Sequence, residues 1–364
     1  MSATTVEDVP RTELRRLEPG PPPACSLHPV VKSCDRTWSS SPSGGFAHPA
    51  MVGAEVTRDR SRMCLIGGAG FLGTALRRYL RQGGGEPVVV GRSEPVQLEA
   101  EERYFPATDR SLKSYLAEHG TSTIVDFAYA TVPSTSFDDP VADFSLNLGA
   151  VLRHLQLSLD VGAKSYVFIS SGGTVYGDPG CDPIPETAPN SPVSPYGITK
   201  LACEHYVLLF NKLHALPAII VRPSNVYGPG QIPFRGQGLI ATAFAAALRG
   251  ISLRIYGDGS QVRDYLYVDD FCAGLTDAMN AGEVGQIYNL GSGSGTSVRE
   301  LLEQIAEIVV RDGCALDIDW REERPFDVHC NILDTRKLRS LNEWVPKVPL
   351  DRGLKATWEW IKRQ

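Results

Sequence analysis

Met63-Cys64-Leu65-Ile66-Gly67-Gly68-Ala69-Gly70-Phe71-Leu72-Gly73 is the stretch on which the reading of this chain turns. Met63 to Ile66 is a short apolar run of strand character, and Phe71 to Arg81 has helical character, so the glycines form a strand-to-helix turn. Gly67 permits a tight turn, Gly70 lets the backbone approach a pyrophosphate, and Gly73 lets the helix pack close to the strand. The helix start supplies unpaired N–H groups and the positive end of a dipole, both suited to phosphate. These features predict a dinucleotide site at the first strand–helix turn.

Working outward, strands and helices alternate. Pro87 to Val90 reads as a second strand, Leu112 to His119 as a helix, Thr123 to Ala128 as a strand, and Phe144 to Val161 as a long helix. Ser165 to Ser170 is a strand, Pro195 to His214 a helix, and Ala218 to Val221 a strand. Strands separated by helices imply crossover connections, hence an α/β fold with a Rossmann-type, doubly wound parallel sheet. Beyond Arg222 the pattern is irregular, with helices near Leu239 to Leu248 and Val298 to Val310. The expected division is a Rossmann domain over 62–221 and, over 222–364, a smaller α/β substrate-binding domain that returns segments to the sheet. Residues 1–61, with Pro21-Pro22-Pro23 and the turn-rich Ser39 to Gly45, read as a disordered or loosely packed extension. Arg58, Arg60 and Arg62 read there as a solvated leader. No internal repeat is visible.

Composition excludes several classes. Hydrophobic residues are 42% and charged residues 21% of the 364, enough for a full globular core. A net charge of −6 argues against a general nucleic-acid binder. No apolar run reaches the roughly 18 residues of a membrane span, and no secretory signal is evident. The eight cysteines form no CxxC pair and no zinc-spaced cluster, so no metal site is expected and the thiols read as reduced, in a cytoplasmic protein.

The GxxGxxG spacing of Gly67, Gly70 and Gly73, in Ile66 to Gly73, resembles the opening of the extended short-chain dehydrogenases/reductases. That resemblance predicts a Tyr-x-x-x-Lys downstream, and Tyr196-Gly197-Ile198-Thr199-Lys200 supplies it. Tyr196 and Lys200 stand at i and i+4, on one face of a helix. A free phenol has a pKa of about 10 and is a poor base at neutral pH, but a nearby ammonium favours the phenolate. Tyr196 is thus the candidate general acid/base, and the resemblance has Lys200 also hold the nicotinamide ribose.

Further segments are similar to the nucleotide-sugar epimerase/dehydratase group, most like UDP-hexose 4-epimerases, over roughly Met63 to Lys362. They are Phe168 to Gly177, Arg222 to Pro229, Tyr256 to Gly259 with Arg263-Asp264-Tyr265, and Arg324-Pro325-Phe326-Asp327. The resemblance implies a cofactor site that includes Phe71, Leu72, Phe127, Ala128, Asn147 and Ser224. It implies a substrate site of Asn225, Leu239, Tyr256, Arg263, Arg324, Asp327 and Asn331. Two arginines suit a diphosphate because cationic forks converge on its oxygens. Asn331, four beyond Asp327, stands where the group lines the pocket near the sugar's 2-substituent; a small residue there would admit an N-acetyl group.

The chain departs from the group at four points. Gly172 stands where the group has Ser or Thr. Strand alternation makes Ser170 and Thr174 the replacements, with Thr174 nearer the open strand end. Gly173-Thr174 replaces the Asp-Glu of the dehydratases, which leaves epimerisation or ketone reduction. The second strand ends at Gly91-Arg92 without the acid that holds the adenosine ribose of NAD, and Arg92 could meet the 2′-phosphate of NADP. Gly238 replaces a substrate-binding Asn. The sequence reading is therefore a nucleotide-sugar 4-epimerase with NAD as cofactor and NADP tolerated. Its alternatives are an NADPH-dependent 4-keto reductase and a non-catalytic dinucleotide-binding regulator. Helices 144–161 and 195–214, with Leu201, Tyr206, Leu208 and Leu209, are expected to form a homodimer.

Overall fold

A computed structural model of the protein describes residues 63–364, apart from 93, 96, 97, 99–101, 122, 325 and 326. The expectations for 1–61 and for Arg62 lie outside the described residues. The first half runs β1 (Met63–Ile66), α1 (Phe71–Gln82), β2 (Val88–Gly91), β3 (Arg103–Pro106), α2 (Ser111–His119), β4 (Thr123–Asp126), α3 (Pro133–Ser136), α4 (Pro140–Asp160), β5 (Ser165–Ile169), α5 (Pro195–His214) and β6 (Ala218–Pro223). The second runs β7 (Asn225–Tyr227), α6 (Leu239–Arg249), β8 (Leu253–Tyr256), β9 (Val262–Tyr267), α7 (Val268–Ala281), β10 (Ile287–Leu290), β11 (Gly295–Ser297), α8 (Val298–Val310), β12 (Ile318–Arg321), β13 (Cys330–Asn331), α9 (Arg336–Asn342) and α10 (Leu350–Ile361).

Seven strands make one parallel sheet in the order β10-β6-β5-β4-β1-β2-β3. This is the Rossmann-type, doubly wound fold expected. Strand order reverses between β1 and β4, and the crevice beyond their carboxyl ends is where such sheets bind ligands. Alternation along the strands divides the core. Leu65, Val125, Val167 and Ile219 pack with α1, α6 and α7 on one face. Ile66, Ile124, Phe168 and Ile220 pack with α2, α4 and α5 on the other. A second, smaller sheet is built round β9, which pairs with β7, β11 and β13.

Local chemistry fixes the helix that matters most. Ser194 caps α5 by accepting from Gly197 N at 3.1 Å, and Pro195 occupies the first turn, where its missing N–H is harmless. Further along α5, Glu204 is buried and accepts from Arg222 of β6 at 2.9 and 2.5 Å. Ser170 also donates to Glu204, and the Arg222 guanidinium lies 4.7 Å from the centre of the Tyr176 ring.

Two expectations are corrected. The second half is less irregular than its sequence, with regular elements α7 and β10 in it; β10 returns to the main sheet beside β6, as the domain division anticipates. The thiols are not all reduced, because Cys181 and Cys330, 149 positions apart, form a disulfide with Cα atoms 5.2 Å apart. Among the described residues no helix is long and apolar enough to cross a membrane, and no group of three or more His, Cys, Asp or Glu is placed to hold a metal ion.

The buried pair yields a stability test. Glu204→Gln leaves the Arg222 charge buried without its counterion, which typically lowers stability by about 3–5 kcal/mol. A urea titration should show an earlier midpoint with an unchanged slope; a midpoint equal to wild type would refute the role given to this pair.

Candidate active site

The glycine turn is a close-packed cradle. Gly67 has φ +79°, and a Cβ there would lie 2.8 Å from Ala128 N. A Cβ on Gly73 would lie 2.5 Å from Gly68 Cα, so α1 can approach the turn only without a side chain. Gly70 precedes α1 and provides no side-chain cap, so the first N–H groups of the helix, from Phe71 and Leu72 onward, stay open at the crevice. These residues fit a dinucleotide pyrophosphate. Phe127 N donates to Ile66 O at 2.8 Å, and Ala128 N to Asp126 Oδ1 at 3.0 Å, which holds the β4 exit beside the cradle. Against the effect of burial, His154 and Tyr166 hold the Asp126 carboxyl below its ordinary value.

Tyr196 and Lys200 lie on the buried face of α5. Lys200 Nζ donates to Ile169 O, at the end of β5, at 2.8 Å. Burial pushes the lysine down to about 8. Three rings surround the ammonium: Tyr129, Phe168 and Tyr196, with centres 4.0, 5.0 and 5.9 Å away. Burial, with a contribution from Asp143, pushes the Tyr196 phenol above its ordinary value. Asn147 does not present a free amide. Its Oδ1 accepts from Ala130 N at 2.6 Å and its Nδ2 donates to Asp143 O at 2.8 Å and Thr131 Oγ1 at 3.0 Å. It shapes the loop after β4.

The structure separates the hydroxyl candidates. A Cβ on Gly172 would lie 2.5 Å from Leu333 Cδ1, so Leu333 fills the room beside this glycine. Ser170 is tied to Glu204. Thr174 Oγ1 is buried and has no hydrogen-bond partner among the described residues. Its carbonyl oxygen would be 2.6 Å from a Cβ on Gly197, which places Thr174 against the first turn of α5. Ser171, which strand alternation passed over, is half-buried in the same turn.

On the substrate side the structure brings four predicted residues together. Arg324 donates to both oxygens of Asp327 at 2.9 and 2.7 Å, and its guanidinium lies 4.4 Å from the Tyr256 ring centre. Arg263, on β9, lies within electrostatic reach of both Asp327 and Arg324, and burial lowers its guanidinium from the ordinary value. Ser224 Oγ and Asn225 Nδ2 are buried at the β6–β7 junction, without hydrogen-bond partners among the described residues. Leu239 opens α6. Gly238 has φ +86°, and a Cβ there would meet Gln231 Cδ at 2.7 Å. Gln231 thus fills the space beside Gly238, its Oε1 buried and without a hydrogen-bond partner among the described residues; no sequence motif points to it. Asn331 is buried on β13 and donates to Gly172 O at 3.0 Å. Its amide joins β13 to the turn after β5. Arg92 is exposed just after β2.

Residues 63–291 match the model of the family described as NAD dependent epimerase/dehydratase. A UDP-glucose 4-epimerase of Mycolicibacterium smegmatis is 33% identical over 83% of this chain and 99% of its own length. The crystal structure of UDP-glucose 4-epimerase from Thermotoga maritima with UDP-glucose has a TM-score of 0.77 at 32% identity, covering 83% of this chain and 98% of that one. The Thermus thermophilus UDP-glucose 4-epimerase, in complex with NAD, has a TM-score of 0.76 at 30% identity, covering 83% and 99%. The chain belongs to the NAD-dependent epimerase/dehydratase family. It is an enzyme of the extended short-chain dehydrogenase/reductase type that uses NAD, and the cradle at Gly67, Gly70 and Gly73 is the site that fits this cofactor.

Within this family member the cradle is directly testable. Gly67→Ala forces a side chain into the left-handed region and against Ala128, a penalty of about 1–2 kcal/mol from conformation alone. NAD affinity measured by calorimetry should fall about tenfold or more. Affinity within twofold of wild type would show that the backbone here does not hold the pyrophosphate.

Proposed function

We propose that this enzyme is a nucleotide-sugar 4-epimerase acting on a UDP-hexose. The observation that carries the reading is the proton inventory of the catalytic turn. Tyr196 stands one helical turn from the buried Lys200, and Gly173-Thr174 offers no carboxylate for eliminating water. Bound NAD supplies the hydride acceptor and donor. Tyr196 takes the proton of the sugar 4-hydroxyl and later returns it, so no net redox occurs. Lys200 keeps a positive charge beside Tyr196 and offers its ammonium to the nicotinamide ribose. Thr174, with its unpartnered hydroxyl, aligns the sugar hydroxyl. Arg263 and Arg324 grip the diphosphate, Asn225 adds an amide donor, and Tyr256 and Asp327 border the nucleoside.

A second reading is kept for one observation. Gly91 ends β2 without a carboxylate, its carbonyl engaged by Tyr104 Oη at 3.0 Å and Ala107 N at 2.8 Å, and Arg92 follows, exposed. That pattern tolerates a 2′-phosphate and suits an NADPH-dependent reductase of a 4-keto nucleotide sugar. Incubation of the purified protein with UDP-glucose or UDP-galactose, followed by NMR, separates the two. Interconversion without added reductant supports the epimerase; consumption of NADPH by a 4-keto sugar, with no interconversion, supports the reductase.

Assembly is read as a homodimer of the cytoplasm. Leu146 on α4 and Ile198, Leu209 and Leu213 on α5 are 55, 57, 42 and 64% exposed, a wide apolar face on two adjacent helices. Light scattering should give twice the mass of one chain, and Leu146→Asp with Leu209→Asp should convert it to a monomer. A wild-type monomer at micromolar concentration would overturn this assignment.

Catalysis has its own test. Tyr196→Phe removes only the hydroxyl, and turnover should fall about 100-fold or more while NAD binding persists. Thr174→Val removes one aligning hydrogen bond and should lower kcat about tenfold. Near-normal turnover in the Tyr196 variant would eliminate the mechanism.

A further inference from the structure

The ammonium of Lys200 is enclosed in an unusual way. Its hydrogen-bond partner is a main-chain carbonyl, Ile169 O, not a carboxylate. Its nearest ring is Tyr129, whose centre lies 4.0 Å from Nζ. Tyr129 comes from the loop after β4, outside every catalytic and binding motif of the sequence. Its ring also meets the Tyr196 ring edge-on, with centres 4.8 Å apart, and its hydroxyl donates to Tyr196 O at 3.4 Å. One side chain therefore touches both members of the catalytic pair.

The physical reason for such a ring is charge. A buried ammonium loses hydration, which drives it toward the neutral form. Ionisable groups lie around it on every packed element. Asp126 of β4 is already bonded to His154 of α4 and to Tyr166 of β5. Asp143 of α4 accepts from Thr131 and Thr199. Glu204 of α5 is paired with Arg222 of β6. Cys203 and Tyr196 of α5 are protonated groups held up by burial. Each acidic neighbour has its own donors, and none contacts Nζ directly. The negative π-face of Tyr129 is the group that meets the ammonium at contact distance, and such contacts strengthen when desolvated.

The geometry points to Tyr129 as a positioning residue of the catalytic pair: its ring keeps the Lys200 ammonium charged and seated against β5, and so sets the alkaline limit of the reaction. This rests on the assignment of Tyr196 and Lys200 to catalysis. The ring and not the hydroxyl carries the effect, which makes the idea separable from simple packing. Tyr129→Phe keeps the π-face. Tyr129→Leu keeps an apolar cover and removes it.

The test is the pH profile of kcat/KM on UDP-glucose for wild type, Tyr129→Phe and Tyr129→Leu, with NAD affinity by calorimetry at pH 7 and pH 9 as a readout independent of turnover. The Phe variant should keep the wild-type alkaline limb. In the Leu variant the limb should move to lower pH by roughly half to one unit, because the lysine deprotonates sooner. NAD affinity should then weaken between pH 7 and 9 more steeply in the Leu variant than in the other two. A Leu variant that loses activity equally at all pH values, or a Phe variant that shifts as far as Leu, would overturn the proposal. If the wild type turns over no nucleotide sugar, the epimerase reading fails, while the pH dependence of NAD affinity in the three proteins still judges Tyr129.

Discussion

A positive charge buried at the end of β5 is the constraint around which the site is organised. Lys200 reaches the carbonyl of Ile169, the last residue of that strand. A charge taken out of water must find compensation, and here it fixes the rotation of α5 against the sheet. Once that rotation is set, residues one turn either side are placed. Tyr196 falls at the mouth of the crevice, and Glu204 falls over β6, where it holds Arg222. Three residues at four-residue spacing thus form a polar stripe on the inner face of a helix whose other inward residues are apolar or small.

The rest of the site is brought to that stripe by topology. The strand order reverses between β1 and β4, so the glycine turn and the β4 exit flank one crevice. The smaller sheet carries Arg263. Arg263 on β9 stands in register with Asn331 on β13. The adjacent Asp264 accepts from Ser292 and from the backbone N–H groups of Gly293 and Leu333, which locks β9 to the loop after β10. A carboxylate that is fully enclosed but accepts several donors acts as a fastener here.

Legibility in the sequence followed local chemistry. The bounds read for α5 and α8 coincide with the observed ones because each has an explicit start: Ser194-Pro195 for α5, and the Ser297–Glu300 capping box for α8. The helix α7 follows β9 directly, with Tyr267 as its N-cap and no side-chain cap, so the sequence carries no start signal for it. β3 was missed because it is a four-residue edge strand, Arg103–Pro106, with exposed ends and a terminal proline. α4 was begun one turn late, although Asp139 and Pro140 form a regular helix start. At the site, residues with a spacing rule were placed: Tyr196 with Lys200, and Arg324 with Asp327. Residues whose role depends on contacts distant in sequence were not. Asn147 and Asn331 are engaged with main chain, Gln231 fills the space beside Gly238, and Cys181 finds Cys330 across 149 positions.

The contact between Gly172 and Leu333 bears on how this enzyme can change. The leucine side chain lies where a Cβ on Gly172 would be, 2.5 Å from its Cδ1. A serine introduced at 172 alone would collide with it. Shrinking Leu333 first would open a cavity in the small cluster of Val175, Tyr176 and Ile184, typically a loss of about 2–5 kcal/mol for a leucine cut to alanine. A side chain at 172 therefore requires Leu333 to move. The two positions are coupled through direct contact, so a change at one is felt at the other. A hydroxyl placed at 172 is therefore a question of how Leu333 packs as much as of the residue at 172 itself.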